Sequence, residues 1–263
     1  MCVRFYFSII NDFNLYEIIL NRLSCYLFQI YTWFVIYPVS WIITASVAIL
    51  TVLFSFLINA RWASKWIAPW WGKLVIFISF TKVEIIGGEY FDKNQSYIVV
   101  CNHQSTYDTM MVYGYFPGEF KWVMKKELKK VPFVGAAGKA MKHIFIDRRN
   151  SAIAKQSLID AKAIINGGVS AFFFPEGTRS LSGELLTFKK GAFRMAKSLG
   201  LPILPITISG ANKVMPAKSL MICPGRITLT IGDPISSVVV RNSSVNELSK
   251  LAKQRIAANI SHK

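Results

Sequence analysis

In Asn102-His103-Gln104-Ser105-Thr106-Tyr107-Asp108 an imidazole and a carboxylate stand five residues apart. A carboxylate beside an imidazole fixes its tautomer and stabilises the imidazolium, which leaves the second ring nitrogen to take a proton from a hydroxyl. On a regular helix this offset is about 500°, so the two side chains would point apart. They meet only if the chain turns between them. Ser105 gives a reason for a turn: it is a good N-cap, and Asp108 stands three residues on, where the acidic partner of a capping box stands. His103 is therefore expected just before a helix and Asp108 in its first turn. The same spacing also suits a plain helix cap, so the pair alone leaves both readings open.

No GxSxG elbow is present, and Gly167-Gly168-Val169-Ser170-Ala171 does not make one. Cys101 is expected to face away from His103. The arrangement favours direct attack by an activated substrate hydroxyl over a covalent acyl-enzyme. A second constellation is Phe172-Phe173-Phe174-Pro175-Glu176-Gly177-Thr178-Arg179-Ser180. Gly177 lets backbone approach a ligand closely. Thr178 offers a hydroxyl and Arg179 a planar fork suited to phosphate. Lys189 and Lys190 follow, and Lys121–Arg149 carries nine basic and two acidic residues, Lys125 among them. A turn closed by a solvated salt bridge would have the same composition.

Elements must carry these groups to one place. Ser96–Cys101 reads as a buried strand that delivers His103 to the end of a sheet, where α/β proteins build sites. Thr106–Tyr115 reads as helix, His143–Ile146 as strand, Ser151–Ile165 as helix ended by Gly167-Gly168, and Val169–Phe174 as an apolar strand stopped by Pro175. Gly191–Leu199 is helical, Ile203–Ile208 and Arg226–Ile231 are strands, and a helix over Val245–Ala258 closes the chain. Strands recurring between helices, several apolar throughout, predict an α/β class: a mixed, largely buried sheet flanked by helices.

The first part of the 263-residue chain is different. Leu23–Ala60 holds no Asp, Glu, Lys or Arg, while the net charge of +17 lies wholly after it. Pro38 divides this run, and Val39–Ile58 is about the ~20 residues that cross a bilayer core. Two arrangements fit: one spanning helix with an interfacial segment before it, or a two-helix hairpin dipping into one leaflet. Trp33, Trp41, Trp62, Trp66, Trp70 and Trp71 flank the run, and Arg61, Lys65 and Lys73 follow it, which suits an interface with the rest of the chain on the cytoplasmic side. The basic charge fits nucleic acid or anionic lipid; the apolar run favours an anionic membrane surface and no nucleic acid. The expected division is a membrane-associating segment over 1–74 and a catalytic domain over 75–263. Four scattered cysteines form no disulfide framework or zinc pattern.

Taken in order, four blocks resemble the glycerolipid acyltransferase family. Asn102, His103 and Asp108 match its Asn-His-x4-Asp signature. Lys125–Leu128, then Val131-Pro132-Phe133 and Phe145-Ile146-Asp147-Arg148, look like its second block. Phe174–Ser180 matches the third residue for residue, and Leu204-Pro205-Ile206 looks like the apolar-Pro-apolar fourth. The blocks lie within residues 75–235 or so. The resemblance implies His103 as general base oriented by Asp108, and a free glycerol hydroxyl that attacks the thioester of acyl-CoA or acyl-carrier protein. It implies that Arg179, Gly177, Thr178 and Lys125 hold the acceptor phosphate and that Glu176 orients their loop. The acceptor expected is lysophosphatidic acid, giving phosphatidic acid, with no metal or redox cofactor. Glycerol-3-phosphate or another lysophospholipid would keep the same chemistry, and a non-catalytic basic membrane-binding module is the reading from another class.

Overall fold

The computed structural model describes residues 15–147 and 161–260, with side chains from residue 23 onward. Helices are α1 (Leu15–Tyr31), α2 (Tyr37–Leu57), α3 (Ala60–Trp66), α4 (Ala68–Ile78), α5 (Tyr107–Tyr115), α6 (Val134–Ala140), α7 (Gly191–Leu199), α8 (Ala211–Val214), α9 (Ser237–Asn242) and α10 (Val245–Ala258). Strands are β1 (Lys82–Ile86), β2 (Ile98–Cys101), β3 (Phe120–Lys125), β4 (Ile144–Ile146), β5 (Ser170–Phe173), β6 (Ile203–Ser209) and β7 (Arg226–Ile231). Arg148 and most of the helix expected over Ser151–Ile165 lie outside the described residues; Ala161–Ala163 forms a short 3₁₀ turn.

The seven strands form one sheet in the order β1-β7-β6-β2-β5-β3-β4. Every pairing is parallel except β6 with β7, so the sheet is mixed as expected. Strands β2 and β5 are buried along their whole length, which explains their unbroken apolar sequence: parallel strands are covered on both faces. Alternate residues feed two cores. Val99, Cys101, Phe172, Leu204 and Ile206 face Met111 and Val112 of α5 and Ile76 of α4. Ile98, Val100, Ala171, Phe173 and Ile203 face Phe193 and Ala196 of α7 and Leu248 and Ala252 of α10. The result is three layers, helix–sheet–helix. Pro205 is tolerated within β6 because pairing with β7 begins only at Ile206, while the Pro205 carbonyl takes the Gly232 amide at 2.9 Å.

Helices α4 and α5 cross very closely. A Cβ on Gly72 would lie 2.1 Å from the Met110 carbonyl oxygen, so only glycine fits there. This crossing fixes the helix that carries Asp108.

The apolar run is one continuous rod, not a hairpin. Between α1 and α2 the backbone makes a π-turn at Thr32–Ile36, and the Tyr37 amide donates to the Thr32 carbonyl, five residues back. Pro38 interrupts the regular ladder as expected, but the wider turn absorbs the lost donor and ring clash without ending the helix. The span Leu23–Leu57, 35 residues with mean hydropathy 2.1 and 17% of its most apolar window buried, is long and apolar enough to cross a membrane. Phe34 and Phe56 are 78% and 87% exposed on it. The rod also packs on the rest of the chain. Ile36 lies in the same core as Val99 and Leu204, Gln29 donates to the Ile222 carbonyl at 2.8 Å, and Tyr37 donates to that of Leu220 at 2.6 Å. The 1–74 and 75–263 segments therefore share packing across their boundary.

Candidate active site

Strand β2 ends at Cys101, and the next side chain continues its ladder. The Asn102 amide donates to the Ile208 carbonyl and accepts from the Ile208 amide, both at 2.8 Å. His103 is thereby held at the carboxyl end of a central strand. Its backbone is gripped twice more: its N–H donates to Glu176 Oε1 at 2.8 Å and its carbonyl accepts from the Ser180 amide at 2.8 Å. Glu176 Oε2 also accepts the Leu186 amide at 2.9 Å. One buried carboxylate thus joins the two motif loops to the approach to α7. Burial pushes the Glu176 carboxyl above its ordinary range, although the Leu186 and His103 amides pull the other way.

The His103 ring is set by two contacts. It stacks on Phe174, with ring centroids 3.9 Å apart and planes 8° apart, and its Nδ1 lies 2.9 Å from Asp108 Oδ2. The same Oδ2 accepts the Gln104 amide at 2.6 Å and the Ser105 amide at 2.8 Å. Nδ1 therefore donates as well, and Nε2 keeps its lone pair. Asp108 is fully buried, and its Oδ1 lacks a hydrogen bond among the described residues. The turn expected at Ser105 is present in this form. Ser105 Oγ accepts the Tyr107 amide at 3.1 Å and donates to the Met215 carbonyl at 2.7 Å, while Asp108 takes the Ser105 amide. Only the Asp108 half of the expected capping box forms, because Ser105 Oγ meets the Tyr107 amide and not that of Asp108, and the helix is capped at Thr106 without a side-chain bond. Cys101 is buried in the core, with its thiol pushed well up by burial and by the Asp108 and Glu176 charges, so it offers no thiolate.

His103 opens onto a cavity of about 450 Å³. Lys125, Gly177, Thr178 and Arg179 supply its polar wall with His103. Gly177 has φ +73°, a conformation that favours glycine and lets the loop turn sharply after Phe174. Arg179 Nη1 donates to Thr106 Oγ1 at 2.5 Å, which leaves its other donors available. The expected residues thus converge, except that Glu176 and Asp108 lie behind the wall and touch backbone and imidazole instead. Lys189 and Lys190 are not part of the lining. The apolar wall was not expected: Thr44, Val47, Ala48 and Thr51 of α2, with Ala137 and Met141, face Trp71, Tyr113 and Trp122. The α2 residues recur at offsets of three and four and are smaller than their neighbours, a signal hidden by the uniform hydrophobicity of the run.

Residues 82–209 match the family described as Acyltransferase. The chain is 33% identical over 167 residues to a 1-acyl-sn-glycerol-3-phosphate acyltransferase of Cocos nucifera, covering 63% of this chain and 54% of that protein. It is 32% identical over 170 residues to the alpha form of such an enzyme from Ovis aries, covering 64% and 59%. The chain thus matches a little over half the length of these curated relatives. Among solved structures it resembles the 1-acyl-sn-glycerophosphate acyltransferase of Thermotoga maritima, with TM-score 0.74 and 28% identity over 90% of this chain and 95% of that one.

Proposed function

We propose, from the match of residues 82–209 to the Acyltransferase family, that this chain transfers a fatty acyl group from a thioester to the free hydroxyl of 1-acyl-glycerol-3-phosphate, giving phosphatidic acid. The observation that carries the reading is one cavity bounded by an oriented imidazole, a basic loop and an apolar helix face. Nε2 of His103 takes the proton of the acceptor hydroxyl as its oxygen attacks the thioester carbonyl. The tetrahedral adduct then expels the thiolate, which recovers the proton from the imidazolium. Asp108 holds the ring and stabilises its charge, and no acyl-enzyme forms. Glu176 acts through backbone alone, fixing His103 relative to the phosphate loop.

Lys125 and Arg179, with the Thr178 hydroxyl and the Gly177 backbone, hold the acceptor phosphate. The apolar wall on α2 and α6 takes an acyl chain. The donor is acyl-CoA or acyl-carrier protein. The 35-residue apolar span seats the chain in an anionic membrane, with Arg61, Lys65 and Lys73 marking the cytoplasmic side where catalysis occurs. The test is a phosphatidic acid assay on purified full-length protein. It compares 1-acyl-glycerol-3-phosphate, glycerol-3-phosphate and other lysophospholipids, each with both donor types. Thioester-dependent product lost in His103→Ala is expected; product that persists in that variant would overturn the mechanism, and a better acceptor would replace the substrate.

A further inference from the structure

The apolar wall contains a polar group that the transfer reaction does not use. Tyr113 lies on the same face of α5 as Thr109, one turn beyond it, and both line the cavity. Along the helix axis Tyr113 is about 7.5 Å past Asp108, well removed from the reacting hydroxyl. Behind it, outside the lining, stands buried His143, whose Nε2 is 2.8 Å from the phenol oxygen. The tautomer is decided on the other side of the ring. The Trp122 amide donates to His143 Nδ1 at 3.3 Å, so Nδ1 accepts and Nε2–H donates to Tyr113.

The phenol oxygen therefore accepts from His143. These contacts give the phenol's own proton no acceptor among the described residues, and Tyr113 lines the cavity. Burial and the Lys121 charge hold His143 far below its ordinary range, to about 3, so the imidazole stays neutral. Burial likewise keeps the Tyr113 phenol protonated. A buried donor left without an acceptor is costly, whereas one met by its ligand discriminates strongly.

We infer that Tyr113, oriented by His143, forms a second polar station in the cavity that receives an acyl chain bearing a hydroxyl group part-way along its length. This rests on the acyltransferase reading above. The hydroxyl oxygen accepts the Tyr113 proton, while Thr44, Val47 and Ala48 contact the rest of the chain.

The test uses purified full-length protein, 1-acyl-glycerol-3-phosphate and CoA thioesters of one chain length, either unsubstituted or with a single hydroxyl at successive carbons. The readout is the ratio of kcat/KM for each hydroxylated donor to that for the unsubstituted one. At one hydroxyl position the ratio should be highest, and Tyr113→Phe should lower that ratio about tenfold and leave the other positions' ratios in place. His143→Leu should lower it too, whereas His143→Gln, which keeps a donor toward the phenol, should largely preserve it. Ratios unchanged in Tyr113→Phe, or hydroxylated donors poor at every position, would overturn the station while leaving the acyltransferase reading intact. No product from any donor would overturn both.

Discussion

The two walls of the cavity are built by opposite means. On the motif side, position is enforced by hydrogen bonds to backbone: Asp108 takes the Gln104 and Ser105 amides, Glu176 takes those of His103 and Leu186, and Asn102 clasps Ile208. On the α2 side, four small or β-branched residues of a largely exposed helix supply mainly shape, with the Trp71 indole N–H donating to Thr44 Oγ1 at 2.9 Å. The first wall tolerates almost no change, because each carboxylate supports several donors at once. The second can alter by a methyl group and still be a wall. Chemistry should therefore be brittle and chain choice adjustable.

The largest effect tests the brittle side. His103→Ala should lower acyl transfer by about 10³-fold or more with little change in thermal stability, measured as kcat beside Tm. Asp108→Asn should lower kcat about 10²-fold; a collapse of Tm with it would show that the turn, more than the imidazole, needs the carboxylate. Arg179→Ala should weaken kcat/KM for the acceptor by roughly 10- to 100-fold while thioester hydrolysis changes far less; equal losses would make Arg179 structural. On the adjustable side, Ala48→Leu should cut kcat/KM for the longest donors about tenfold and leave short ones nearly untouched. Loss of all activity there would erase the contrast.

The smallest effect at neutral pH concerns His143. Its folded pKa lies near 3 against an ordinary 6.5, so the unfolded chain binds a proton that the folded chain refuses. Stability is then full above about pH 6.5 and falls as pH drops toward 3, by about 1.4 kcal/mol per pH unit from this group. Denaturant titrations from pH 7 to 4 should show a shallower slope in His143→Leu than in the parent chain.

Most of the motif side is legible in the sequence, because its chemistry is local: a five-residue offset demands a turn, and Ser105 marks it. Strands β2, β5, β6 and β7 and helices α5, α7 and α10 follow from hydrophobic runs and glycine stops. Strands β1 and β3 are hidden for different reasons. The first is an exposed edge carrying Lys82 and Glu84. The second buries Lys121 at 4% exposure, which propensity counts as surface; its Nζ lies 3.4 Å from Glu119, which in turn pairs with Arg61 at 2.6 Å. The α2 wall and the Tyr113–His143 pair are illegible because both depend on which distant segments meet. Nothing near Tyr113 in sequence announces His143, thirty residues on.

The π-turn before Pro38 sets the phase of the long rod. One extra residue in a turn rotates everything after it by about 100° relative to an unbroken helix. Upstream, that phasing gives Gln29 and Tyr31 to the Ile222 loop and the end of α4. Downstream, it turns Thr44, Val47, Ala48 and Thr51 to the cavity and leaves Trp41 and Phe56 outside. The bulge works like the offset between two cams on one shaft. A single-residue deletion within Thr32–Ile36 would close the bulge into a regular turn and keep the same side chains on the cavity, whereas straightening the turn with every residue retained would present the cavity with a different set.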